Sequence, residues 1–359
     1  MNDEAYRQLA NVLNTLPNGF PPTESGVEIK LLKKVFEPDE AELFCRLKLT
    51  YETAEQIAQR SGLPLGSLAE QLETMWEKGQ IESRLSEGTQ LFRMVPWVIG
   101  IYEYQLKRMD KEFAQLCESY APFLGPQLVM NKPQLMQVIP IEREIPANYE
   151  ALPYEKVSSI IENGKSFVVS DCICRKQTRL LGKGCDKPLE ICMAIGDEPD
   201  LFDNDPWGRR IISKQEAYDL LQKAEEAALV HMTCNVKNGH WFICNCCGCC
   251  DGQLVAASAG LTGVINSHFY AEIDQDLCAA CGICADERCQ VKAIEEVDGS
   301  YSVNRAKCIG CGLCISTCST EAMRLIHKTP EELEPPAKDE MDWWEKRALA
   351  RGVDFSFYK

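Results

Sequence analysis

Of the 20 cysteines in this 359-residue chain, 18 lie between Cys172 and Cys318, and their spacing is the first feature able to do chemistry. Residues 278–318 read Cys278-x2-Cys281-x2-Cys284-x4-Cys289, then Cys308-x2-Cys311-x2-Cys314-x3-Cys318. The first three cysteines of the two sets are offset by 30 residues and the fourth by 29, and three residues separate each fourth Cys from an Ala, Ala293 or Ala322. Thiolates at intervals of three wrap a tight turn around one face of an iron–sulfur cube, where backbone N–H groups can reach the sulfides. Zinc knots would instead be expected as paired C-x2-C arms separated by a longer loop. The spacing favours iron.

This stretch, roughly residues 271–327, resembles a bacterial two-cluster ferredoxin. The resemblance implies two [4Fe–4S] clusters with crossed ligation, one held by Cys278, Cys281, Cys284 and Cys318, the other by Cys308, Cys311, Cys314 and Cys289. Two departures stand out. The Pro that usually follows each fourth Cys is replaced by Gln290 and Ser319, and the first motif carries one extra residue within Ala285-Asp-Glu-Arg288.

Ten more cysteines precede this region: Cys172, Cys174, Cys185, Cys192, Cys234, and the run Cys244-x-Cys246-Cys247-x-Cys249-Cys250. Five thiols in seven residues cannot pair among themselves as disulfides without strain, but they can share metal. Cys172, Cys174, Cys185 and Cys192 form one four-ligand set, to which Cys244, Cys246, Cys247, Cys249 and Cys250 contribute or beside which they build a second. One or more further iron–sulfur clusters are expected here, with a structural Zn site as the alternative. Arg175, Lys176, Arg179, Lys183 and Lys187 flank the first group, a local positive excess that would stabilise thiolates and an anionic cluster. Ser170-Asp-Cys-Ile-Cys-Arg175, the Gly184–Cys192 segment and Phe242-Ile-Cys-Asn-Cys-Cys-Gly-Cys-Cys250 are similar to multidomain 4Fe–4S binding proteins of anaerobic bacteria. That resemblance implies an electron carrier or electron-input subunit with iron in the middle domain.

The elements that must position these thiols give an α+β, multidomain chain. Residues 1–97 read as a winged-helix-like docking domain, with helices over Asp39–Leu47, Thr53–Arg60 and Pro64–Lys78, then two strands about Glu87-Gly88. The third helix carries Glu70, Glu73 and Glu77 against Lys78 alone, the wrong charge for a phosphate backbone. Residues 98–156 are expected to form one long helix to about Tyr120 and a Pro-rich extended connection. Residues 157–270 form the cysteine-rich domain, with a strand over Lys165–Ser170 and a helix over Lys214–Leu229. The ferredoxin domain, residues 271–327, is followed by a docking tail, 328–359, whose Trp343 and Trp344 are expected to dock either on a partner or back on the chain. Cys45 and Cys117 read as core thiols, and neither His231 nor His240 is assigned a ligand role.

Composition excludes several classes. A net charge of −16 disfavours nucleic acid and favours a basic docking surface on a partner oxidoreductase. No apolar run reaches the roughly 20 residues needed to cross a bilayer, so no membrane insertion and a cytoplasmic location are expected. No GxxxxGK[ST] motif and no GxGxxG after a strand supports nucleotide or flavin binding. The expected function is relay of low-potential electrons to or from a partner oxidoreductase. The alternatives are an iron–sulfur reductase with a catalytic middle site and, third, a redox-sensing DNA-binding regulator. No catalytic residue is assigned.

Overall fold

The computed structural model describes residues 3–359, a mixed helix and sheet chain. Helices Glu4–Thr15, Val27–Val35 and Pro38–Phe44 pack together through Leu9, Leu13, Leu31, Leu32 and Phe44, which repeat at helical spacing and are sealed from solvent. A short strand, Glu52–Thr53, precedes helices Ala54–Ser61 and Leu65–Glu77 and the hairpin Glu82–Ser86 and Thr89–Arg93. The short strand pairs antiparallel with the second hairpin strand, Glu52 opposite Phe92. Thr53 starts its helix because its hydroxyl accepts from the Gln56 N–H while Gln56 reaches back to the Thr53 N–H.

The single long helix expected after Pro96 is broken. Ile99 adopts φ 57°, and helix Lys111–Val129 begins only where the Asp110 carboxylate caps the Phe113 N–H at 2.7 Å. That helix then runs past Tyr120 through Pro122 and Pro126, both on its exposed side, where the carbonyls they leave unpaired can meet water.

The Pro-rich stretch contributes more than a connection, because Met136–Val138 is an edge strand of a six-stranded antiparallel sheet. In spatial order the sheet runs Met136–Val138, Val230–Cys234, Phe242–Cys246, Glu190–Gly196, Ser166–Asp171 and Arg210–Ile212. Helix Lys214–Glu226 covers it with Ala217, Leu220, Leu221 and Ala224 buried. The middle-domain thiols gather on its inner strands, with Ser170 opposite Cys192, Met232 opposite Cys244 and Val230 opposite Cys246.

Residues 269–327 form two small antiparallel pairs, Phe269–Ile273 with Met323–His327 and Ile294–Val297 with Ser300–Val303. Positive φ recurs at equivalent places in the two cysteine motifs: 50° at Ala280 and 59° at Gly310, 81° at Gly282 and 83° at Gly312, 52° at Lys292 and 55° at Glu321. The sequence repeat is thus also a backbone repeat. At Gly310 a Cβ would fall 2.2 Å from the Phe269 carbonyl oxygen, so only glycine fits.

The tail folds back on its own chain, although Leu349 and Phe357 stay exposed. Helix Glu340–Arg351 buries Trp343 and Trp344, and the Trp343 indole N–H donates to the Gln134 carbonyl at 3.0 Å. Arg347, wholly buried, reaches Asn18 Oδ1 at 2.9 Å and the Pro133 carbonyl at 2.7 Å. The amphipathic helix supplies apolar area that the first helices leave uncovered, so it closes on its own chain. One core joins Leu9, Trp97, Met232, Leu313 and Trp343. Among the described residues, no helix is long and apolar enough to cross a membrane.

Candidate metal centres

Around residues 278–318 a small cavity is lined by Cys278, Cys281, Cys284 and Cys318, the four thiols grouped above by resemblance, and by Cys314 of the other set. Two backbone N–H groups point toward sulfur, Ala271 of strand Phe269–Ile273 to Cys308 Sγ at 3.3 Å and Ala293, after the positive-φ Lys292, to Cys289 Sγ at 3.1 Å. Burial pushes the Cys311 thiol up to about 12. Against the effect of burial, the Thr320 hydroxyl and the N–H groups of Met323, Thr320 and Ala322 hold Cys318 below its ordinary value. Burial first, and then the charge of neighbouring thiolates, push the Cys308, Cys311 and Cys314 thiols up. Void, thiols and N–H donors suit an anionic cluster held by thiolates.

The extra residue of the first motif has a structural use. Arg288 is buried, and its Nε donates to the Leu313 carbonyl at 3.0 Å while Nη2 donates to the Glu225 carbonyl at 2.9 Å. It ties the first motif to the second and both to the helix over the central sheet.

The middle thiols fall into two groups, divided differently from the set read in the sequence. Cys185 leaves Cys172, Cys174 and Cys192 and joins Cys247, Cys249 and Cys250. Cys185 Sγ lies 3.9 Å from Cys247 and 3.9 Å from Cys250, and Cys249 Sγ lies 3.4 Å from Cys247 and 3.6 Å from Cys250. All four sulfurs fall within 4.8 Å of one another, and among the described residues no other set of three such ligand atoms is this tight. A Zn–S bond of about 2.3 Å in a tetrahedron requires S···S separations of about 3.8 Å. The group therefore suits one tetrahedral ion.

The second group is Cys172, Cys174, Cys192, Cys244 and Cys246. Cys172 lies against Cys174 and Cys192, Cys192 against Cys244, and Cys244 against Cys246. Cys172 does not continue the strand, as an alternating pattern would have it; it opens helix Ile173–Leu180, which turns Cys174 inward. Cys234 stands apart, with burial pushing its thiol up to about 12; the same holds for Cys45 and Cys117.

Of the five flanking cations, Arg175 is the one that meets these thiols. It has no exposure, its Nε donates to Cys247 Sγ at 3.4 Å, and its Nη1 donates to the Pro188 carbonyl at 2.5 Å. Hydrogen bonds led by Cys250 hold Cys247 down to about 4 despite burial, with Arg175 adding to the effect. Lys176, Arg179 and Lys187 are spent on backbone carbonyls, and Lys183 pairs with Glu118. His231 is likewise structural, its Nδ1 2.6 Å from Asn245 Oδ1, and His240 Nε2 lies 3.3 Å from the Gln137 amide.

All five cysteines of the second group, with Cys249 and Cys250, line one end of a cavity of about 1220 Å³. Its other walls include the N-terminal segment, helix Lys111–Val129 with Cys117, and residues 196–209 and 237–242. Glu103 stands in this wall, its carboxylate accepting from the Gly100 N–H at 2.8 Å, and burial pushes its carboxyl up to about 7. No motif marks Glu103, because the wall exists only once distant segments meet.

Residues 301–324, which include Cys308, Cys311, Cys314 and Cys318, match the 4Fe-4S binding domain family. The chain carries a 4Fe–4S binding domain. With the thiol group about Cys247, this marks an iron–sulfur protein. No curated protein and no solved structure matches the chain.

Proposed function

We propose that this protein transfers electrons through two ferredoxin-type [4Fe–4S] clusters to a further iron–sulfur centre in the middle domain. The ligand sets are Cys278, Cys281, Cys284 and Cys318, and Cys308, Cys311, Cys314 and Cys289; the backbone repeat supports treating the halves alike. The middle centre takes its ligands from Cys172, Cys174, Cys192, Cys244 and Cys246, while Cys185, Cys247, Cys249 and Cys250 hold a single tetrahedral ion.

The observation that carries this reading is a contact between the two regions. Gly248, between Cys247 and Cys249, donates its N–H to Gln290 Oε1 at 3.1 Å, and a Cβ on Gly248 would fall 1.9 Å from the Gln290 carbonyl oxygen. Gln290 is the residue after Cys289, in the place of the Pro of the ferredoxin pattern. The backbone of one thiol region therefore rests on that of the other, with no side chain between them. Low-potential electrons enter by contact with a donor protein, and the acidic surface favours a basic partner. The segments 1–97, 98–156, 157–270, 271–327 and 328–359 serve as docking module, connection, middle site, entry domain and clamp. The winged-helix-like module and the tail are parts of one shared core, so their role is to build the middle site as well as to dock.

The test is iron, zinc and acid-labile sulfide per chain in protein purified without oxygen, with electron paramagnetic resonance of the reduced form. Iron well above the roughly eight atoms of two cubane clusters, with a third reduced signal, is the expected result. About eight irons and no further signal would overturn the middle redox centre and leave a ferredoxin on a structural scaffold.

A further inference from the structure

The two cysteine motifs of the segment 278–318 share a backbone repeat but not an environment. The second faces inward: Ile309, Leu313 and Cys314 are buried, and the Ile141 N–H donates to the Cys311 carbonyl at 3.0 Å. Strand Phe269–Ile273 covers it from another side, through the contact of Gly310 with the Phe269 carbonyl. The first motif faces out. Cys281 is the one exposed thiol of the eight, and its neighbours Leu277 and Ile283 stay 52 % and 38 % exposed.

Charge separates the motifs as well. From Asp274 to Ser300 the chain carries seven acidic residues and two basic ones. One of the two cations, Arg288, is buried on the Leu313 and Glu225 carbonyls, which leaves Lys292. Asp276, Asp286, Glu287 and Glu296 are exposed, and among the described residues none of the four has a cation at ion-pair distance; Lys307 is spent on Glu295 and Arg324 on Glu272. Tyr301 brings two of these acids to the thiols. It stands opposite Glu296 in its hairpin, and a Cβ on Gly282, the residue after Cys281, would fall 2.8 Å from the Tyr301 hydroxyl and 3.1 Å from the Asp286 carboxylate.

We propose that Leu277, Cys281 and Ile283, rimmed by Asp286, Glu287 and Glu296, form the port at which a basic redox protein docks. An apolar centre within a polar rim is the anatomy of a protein interface, and unpaired carboxylates call for Lys and Arg on the partner. Opposite charge also speeds the encounter and orients it, which places the partner over the exposed thiol. One electron leaves the reduced partner and is taken up at the set with Cys281; no covalent bond forms and no proton moves. The other set cannot be the port, because the chain covers it, and Gln290 beside its Cys289 already touches Gly248. The inference rests on the relay proposed above and fixes which end of it meets the partner.

Cytochrome c, a strongly basic haem protein, serves as the probe. Calorimetric titration of the full-length, metal-loaded protein with ferricytochrome c, without oxygen and with both proteins oxidised, reads docking apart from electron transfer. Stopped-flow reduction of the same probe by the dithionite-reduced protein reads transfer through the port. Binding at about 0.01 M salt that is lost by about 0.3 M is expected, with the rate falling alongside it. Asp286→Lys with Glu296→Lys should weaken binding at low salt about tenfold and slow reduction with it. Glu70→Lys with Glu77→Lys makes the same change in net charge on exposed positions of helix Leu65–Glu77 and should alter both by no more than about twofold. An unchanged reduced resonance signal is the check that each variant is folded and loaded; if the first pair fails to load iron, Asp276→Lys with Glu287→Lys replaces it. No binding at low salt, no effect of the port variants, or an equal loss from the distant pair overturns the port. Iron near eight per chain with the expected charge effects would overturn the middle redox centre and leave the port standing.

Discussion

In the segment 278–318, Cys278, Cys281, Cys284, Cys314 and Cys318 line a small void, whereas at Cys185, Cys247, Cys249 and Cys250 the sulfurs lie 3.4–3.9 Å from their neighbours, a spacing that leaves room for one ion. Both regions are dense in cysteine, so composition does not separate them. Distance does. A [4Fe–4S] cube has iron at four of its eight corners, one thiolate to each, and must spread its ligands, while one tetrahedral ion draws four thiolates to about 3.8 Å. The comparison teaches that thiol spacing in space, more than thiol count, distinguishes a cluster from a single ion.

The sharpest way to break that contrast is to remove one ligand from each side. Cys311→Ser should remove one whole cluster, about four irons per chain, and its reduced resonance signal, while the tetrahedral ion stays. Cys247→Ser should remove one metal ion per chain and leave the iron of the ferredoxin segment in place. Equal losses of iron from the two variants would mean that the four close sulfurs also hold a cluster. Next in size, Trp343→Ala should lower stability by about 3–5 kcal/mol in chemical denaturation, because the ring is 1 % exposed and its N–H is bonded. Its ring lies 6.5 Å from that of Trp241, beside the middle site, so the ferredoxin signal should be unchanged in the folded variant.

Glu103 gives a pH test of the cavity side of the comparison. Between its ordinary value of 4.5 and about 7 the folded protein keeps a proton that the unfolded chain has released. Stability therefore falls as pH rises through that window, by at most about 3 kcal/mol for a fully buried carboxyl and less for this half-buried one. Glu103→Gln should flatten that part of the curve measured by denaturant titration at several pH values, leaving the smaller fall due to Asp251, which burial pushes up to about 6. The smallest effect is expected of Arg175→Gln. It should weaken the tetrahedral ion by about 10–100-fold in competition with a chelator, because a group that orients a ligand is lost and the ligand is kept.

The 4Fe–4S binding domain was legible over residues 301–324 because its thiols are neighbours in sequence, and a spacing of three residues already defines a turn. The middle site was half legible. The identity of its cysteines could be read, but their partition could not, since Cys185 reaches Cys247 through a loop whose path depends on Arg179 donating to the Cys185 carbonyl at 2.9 Å. The helix start at Asp110 was a readable signal, an acidic cap ahead of Lys-Glu-Phe, outweighed by the apolar periodicity that runs through it from Trp97. The burial of Trp343 was not readable, because amphipathicity gives a helix a sticky face without naming what covers it. The cavity left no trace in the sequence at all, being bounded by segments more than 100 residues apart.

Arg347 and Arg351 join the last helix to the first: Arg347 binds Asn18, and Arg351 donates to the Asn14 carbonyl at 2.9 Å. The two arginines thus tie segments more than 300 residues apart in the chain. Loss of helix Glu340–Arg351 should therefore loosen the N-terminal helices as well as the tail itself.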